Sequence, residues 1–178
     1  MRIRAWQIHL MYSPCHSAPS TDLGSILTAL ADVSRRPRYA FMVLGLIAEA
    51  ARSDGRAGPW VAGPDGAPQP LREWVAGKLV PLAAHDRRRA ALRRKVEDRL
   101  GLRATDEALV RAAVEEEALA AGKANVSRAV SDLVKAGFVR RYYAGRVRGH
   151  SNRGGGRHAV YVVSPQVLNA IRSRPTLV

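Results

Sequence analysis

Apolar residues recur at helical spacing along most of the chain. After Thr21 and Asp22, Leu23, Ile26, Leu27 and Leu30 form one stripe, which predicts a short amphipathic helix. "PRYAFMVLGLIAEAARS" opens on Pro37, a residue suited to a first helical turn, and repeats apolar side chains at Phe41, Leu44, Ile47 and Ala48. It predicts the central core helix. The breaker-rich run "DGRAGPWVAGPDGAPQP" follows at 54–70, and its Pro64, Asp65 and Gly66 predict a turn between two short strands. "LREWVAGKLVPLAA" predicts a helix from Leu71 to about the residue before Pro81. "DRRRAALRRKVEDRLG" spaces Leu92, Val96 and Leu100 by four and ends on Gly101, a natural cap. In "TDEALVRAAVEEEALAAG" Thr105 is a capping residue, acids occupy the first turn, and Gly122 is the expected end of the helix. Residues 1–21, broken by "SPCHSAPS", are expected to be a weakly structured leader.

The next stretch, "ANVSRAVSDLVKAGFVRRYY" (124–143), changes character midway. Val126, Val130 and Leu133 share one helical face, and Gly137 permits a positive-φ turn at its end. The opposite side carries Ala124, Arg128, Ser131 and Lys135, flanked by Asn125, Ser127 and Asp132, with Lys123 just before. One side can pack while the other offers small residues, short hydrogen-bonding groups and cations. A helix that enters a DNA major groove needs that combination. "FVRRYYAG" then has strand character, as does "AVYVVSP" further on. Between them lies "RVRGHSNRGGGRH", rich in glycine and arginine and free of acids. Such a loop cannot build a core, but it can follow a phosphate backbone or enter a minor groove.

Charge sharpens this picture. The chain of 178 residues has a formal net charge of +14, which argues for an anionic partner. Residues 123–178 hold eleven basic side chains against the single acid Asp132, whereas 101–122 is net negative by three. The partner is therefore expected at the C-terminal third. No run approaches the roughly 18–20 apolar residues of a membrane span. The patch "MRIRAWQIHL" is interrupted by Gln7 and His9, which argues against a cleavable signal. Cys15 is the only cysteine, so no internal disulfide can form and a reducing cytoplasm is the expected compartment.

"ANVSRAVSDLVKAGFVRRYYAG…GRHAVYVVSP" resembles the recognition helix and wing of winged helix-turn-helix transcriptional regulators, especially MarR-like ones. The matching positions are Ser127, Arg128, Leu133, Lys135, Gly137, Arg140, Arg141, Arg157 and Ser164. The resemblance covers about 50 residues and implies that the helix from Asn125 to Ala136 reads the major groove. It also places Arg153 and Arg157 in the wing.

Chemistry of other kinds lacks a motif. The chain holds no Walker-type glycine loop, no zinc-binding helix motif and no Gly-x-Ser-x-Gly. Glu115, Glu116 and Glu117 are consecutive, so they spread around a helix instead of pairing. No catalytic residue, metal ligand or cofactor is expected. For "RRRAALRRK" (87–95) the choice is a solvated helix face or a second phosphate-contacting surface.

The combined expectation is a mainly α-helical, cytoplasmic and nucleoid-associated transcriptional regulator that binds double-stranded DNA as a homodimer. Residues 22–104 would complete the core and supply the dimer surface, and 105–178 would form a winged helix-turn-helix with a C-terminal β-hairpin wing. DNA contacts are expected from Lys123, Asn125, Ser127, Arg128, Ser131, Lys135, Arg140, Arg141, Arg146, Arg148, Arg153 and Arg157. A phage- or plasmid-type replication or partition factor using the same module, or an RNA-binding protein, are the alternative readings.

Overall fold

A computed structural model describes residues 21–80, 87–101, 105–144 and 158–173. Residues 1–20 of the expected leader (1–21) and the loop with Arg146, Arg148, Arg153 and Arg157 lie outside the described residues. Within them the chain is mainly helical, with a small antiparallel sheet. The elements are α1 (Leu23–Val33), α2 (Pro37–Ala50), β1 (Arg56–Ala57), β2 (Trp60–Ala62), β3 (Pro68–Pro70), α3 (Leu71–Leu79), α4 (Arg87–Leu100), α5 (Glu107–Lys135), β4 (Val139–Tyr143), β5 (Ala159–Val163) and α6 (Pro165–Arg172).

Local chemistry accounts for most boundaries. Asp22 caps α1 through Ser25 N (2.7 Å), and Ser25 Oγ accepts from Asp22 N in return, a reciprocal cap that satisfies two otherwise orphaned amides. Pro37 opens α2 as expected. β2 and β3 pair across the Pro64–Gly66 turn, Trp60 opposite Pro70 and Ala62 opposite Pro68. Gly101 and Gly137 both adopt positive φ, +56° and +75°, just beyond the ends of α4 and α5. The first turn of α5 is capped by Asp106, whose carboxylate accepts from Ala108 N and Leu109 N, one residue later than the expected Thr105.

One expectation fails. The chain does not break at Gly122: α5 runs unbroken from Glu107 to Lys135, so the expected recognition helix is the C-terminal half of a longer rod. At 1.5 Å per residue its 29 residues span about 43 Å. Gly122 serves packing. A Cβ built there would sit 3.3 Å from Ala76 Cβ and 3.5 Å from Val80 Cγ2, so the missing side chain lets α3 cross close to α5. Glycine inside a helix costs about 1 kcal/mol relative to alanine. Here close approach to α3 offsets that cost.

Two separate apolar clusters follow from this rod. The larger takes Ile26 and Leu30 from α1, Val43, Leu44 and Ile47 from α2, Leu71 and Val75 from α3, and Val126, Val130 and Leu133 from α5, all at most 1% exposed. Tyr161 and Val163 of β5 and Val167 of α6 close it. Each such Val or Leu gains about 1.5–3 kcal/mol from burial. The smaller cluster joins α4 to the first half of α5 through Val96, Val110 and Val114, with Leu92, Leu100 and Ala113 around them. Arg93 bridges Glu97 (2.7 Å) on its own helix and Glu107 by both oxygens (2.9 and 2.6 Å); Arg89 pairs with Glu115, and Arg99 with Glu117. Arg89 and Arg93 of the 87–95 run are therefore tied to α5. The paired guanidinium of Arg93 holds the Glu107 carboxyl below its ordinary pKa.

The sheet has the order β1–β5–β4, all antiparallel, with Arg141 opposite Tyr161 and Arg140 opposite Val162. No helix among the described residues is long and apolar enough to cross a membrane.

Candidate nucleic-acid interface

The C-terminal half of α5 buries Val126, Ala129, Val130 and Leu133, which turns Ala124, Arg128, Lys135 and, half-buried, Ser131 outward. The expected division of this helix into a packing side and a polar side therefore holds. Arg128 is exposed, and its guanidinium donates to Asn125 Oδ1 at 2.7 Å. Lys135 is 68% exposed, its ammonium 4.0 Å from Asp132. Ser127 and Ser131 are half-buried, and their hydroxyls donate to the carbonyls of Lys123 and Ser127, both at 3.0 Å. Each hydroxyl still has lone pairs to offer, but its proton is engaged.

Lys123 differs from the others. Its ammonium lies 3.0 Å from Glu73 Oε1 on α3, with both side chains roughly one-third exposed. It links α3 to α5 beside the Gly122 crossing.

On one flank of the α5 strip lies a groove of about 330 Å³, formed with the α1–α2 turn. Arg35, Arg36 and Tyr39 face Asn125, Arg128 and Lys135 across it. Arg36 stacks over the Tyr39 ring at 4.8 Å. Burial raises the Tyr39 hydroxyl pKa, opposed by the nearby charges of Arg36 and Arg128. Arg35 and Arg36 were not singled out in the sequence, although "SRRPR" sits at a helix start. Only the fold brings residues 35 and 36 beside residue 128.

On the other flank, the β4–β5 hairpin splits its two arginines between opposite faces. Arg141 shares a face with Val139 and Tyr161 and lines a cavity with Ser127. Arg140 points to the outer face, beside Asp54, Val162 and Ser164. Arg141 also lies 5.7 Å from the Tyr143 ring. Ala144 N donates to the His158 carbonyl at 3.0 Å, which closes the hairpin where residues 145–157 leave it. His158 packs on Trp60, ring centroids 4.2 Å apart. No group of three or more His, Cys, Asp or Glu able to hold a metal occurs among the described residues.

The structure thus gathers Asn125, Arg128, Ser131 and Lys135 on one exposed strip and adds Arg35 and Arg36. Ser127 and Arg141 meet in the adjoining cavity. It sets Lys123 and Arg140 apart from them. No family model, curated protein or solved structure matches the chain.

Proposed function

We propose that this chain binds double-stranded DNA and acts as a transcriptional regulator. The C-terminal half of α5 would read the major groove, and the β4–β5 hairpin would serve as the wing. One observation carries the reading. The solvent-facing strip of α5 is flanked by Arg35 and Arg36 on one side and by Arg141 and the base of the arginine-rich hairpin loop on the other. A helix with short polar side chains at its centre and cations at both edges suits a groove bordered by two phosphate strands.

The module departs from a simple helix-turn-helix, whose two helices are joined by three or four residues. Here α3 and the reading half of α5 cross at Gly122, and the chain between them makes the α4–α5 excursion in place of a tight turn. A second copy on the same duplex would double a small reading area, which favours a symmetric dimer.

Sequencing of DNA co-immunoprecipitated with the protein should yield a recurrent site upstream of genes. Duplexes carrying that site should then bind more tightly than scrambled ones, with affinity falling steeply as salt rises. Equal binding of all duplexes, or tighter binding of structured RNA, would overturn the reading.

A further inference from the structure

We infer that the cavity lined by α3, α5 and the base of the β4–β5 hairpin seats one phosphate group. The lining alone carries the site; the expectation that the phosphate belongs to a DNA backbone rests on the function proposed above. The cavity is about 150 Å³ and collects Arg72 from α3, Arg141 from β4, His158 from the hairpin base and Ser127 from α5. Arginines from α3 and β4 and the histidine at the hairpin base thus line one cavity with Ser127, whose hydroxyl proton is already given to the Lys123 carbonyl. The one acid in the lining, Glu73, is engaged by Lys123 at 3.0 Å. No carboxylate among the described residues pairs with Arg72 or Arg141. The lining therefore has surplus positive charge and donors suited to a planar or tetrahedral oxyanion.

Size narrows the ligand. At about 30 Å³ per liquid water, 150 Å³ is room for about five waters. A drug-sized molecule needs about 300 Å³ or more. One phosphate fits. Location gives the site a role: His158 immediately precedes the return strand of the hairpin, and Ser127 immediately precedes Arg128 on the outward strip of α5. A phosphate held by both elements would lock the hairpin base against the reading helix. A backbone phosphate of bound DNA and a free phosphate present the same chemistry here, and the backbone is the expected source.

The test uses the full isotope-labelled chain, titrated with inorganic phosphate at ionic strength held constant with chloride. Amide resonances of Ser127, Arg141 and His158 should shift saturably while those of Leu92 and Val114 stay still. Arg72 and Arg141 are exposed, so the double variant Arg72→Ala/Arg141→Ala should keep the wild-type spectrum elsewhere. Its half-saturating phosphate concentration should rise about tenfold or more, the loss expected for charge-assisted hydrogen bonds. Absence of saturable shifts at those three amides, or the same titration curve in the double variant, would overturn the site. Duplex DNA added next distinguishes the sources. Displacement of inorganic phosphate supports a backbone phosphate, and simultaneous binding supports a free one. Saturation by phosphate with no duplex binding at all would retain the site and remove the DNA-binding reading.

Discussion

Replacing Lys123 and Arg128 one at a time should give opposite phenotypes, although the two lie less than two turns apart on α5. The Lys123 ammonium is 3.0 Å from Glu73 Oε1, and the two side chains are 30% and 36% exposed. Lys123→Ala leaves Glu73 without its partner at the α3–α5 crossing. Exposed pairs contribute up to about 1 kcal/mol, and the partial burial here places this pair near that upper end. For a chain of this length 1 kcal/mol lowers Tm by about 2–4 °C. Arg128 is exposed and bonds only Asn125 among the described residues. Arg128→Ala introduces a better helix former, so Tm should stay within about a degree of wild type.

Binding should show the reverse. If Arg128 neutralises a phosphate, its loss should make the log-affinity versus log-salt slope shallower by about 0.9 for every duplex. If it reads a base edge, specific affinity alone should fall, by about 1–3 kcal/mol. Lys123→Ala should leave sequence preference unchanged. Calorimetric melting and fluorescence anisotropy at several salt concentrations read the two quantities independently. A Lys123→Ala protein with wild-type Tm and a slope shallower by about 0.9 would refute the reasoning, because Lys123 would then face the nucleic acid instead of Glu73.

Other outcomes test neighbouring claims. Leu133→Ala, at a site with 0% exposure, should cost about 2–5 kcal/mol of unfolding free energy, measured by denaturant titration. Gly122→Leu should drive a side chain into Ala76 and Val80 of the α3 segment and destabilise by about 1–3 kcal/mol through overpacking; a melting curve like that of the wild type would show that α3 does not cross there. Arg153→Ala with Arg157→Ala should make the salt slope shallower by about 1–2 while leaving sequence preference intact, as anisotropy on specific and scrambled duplexes would show. The α4–α5 hairpin should loosen in acid. The Glu107 carboxyl pKa is depressed by Arg93, so its contribution is present above the ordinary carboxylate pKa near 4 and is lost as pH falls through the folded value; amide exchange in α4 should accelerate there before exchange in α2.

Much of the architecture was legible because short-range chemistry decides it. Asp22, Pro37, Gly101 and Gly137 mark ends that the structure places within a residue or two. The Val126, Val130 and Leu133 stripe marks a buried face correctly. Gly122 misled because a glycine after a helical run reads as a stop, whereas its reason is Ala76, 46 residues earlier in the chain. Arg35, Arg36 and Arg72 escaped notice for the same reason. Each is an ordinary surface arginine until α2 and α3 bring it beside α5. The opposite facing of Arg140 and Arg141 was open to inspection, since alternate residues of a strand face opposite ways, and strand character at "FVRRYY" was already expected.

The charge pattern also reads differently once α4 lies on α5. Residues 87–121 hold nine cations and seven acids, and Arg89, Arg93 and Arg99 neutralise Glu115, Glu107 and Glu117 across the hairpin. The acidic stretch that makes the sequence look polarised is thus matched by the basic helix packed against it. That hairpin contributes only +2 of the +14. Ten more charges come from residues 123–178, where Asp132 is the only acid, and of these Arg128 and Lys135 lie on the outward strip of α5, with Arg141 at its flank. Screening at physiological salt acts over about 8 Å, so a matched hairpin adds little field at the strip, while the unmatched cations there act directly on whatever approaches. The electrostatic argument for an anionic partner therefore narrows to one end of the α5 rod and does not extend along its whole length.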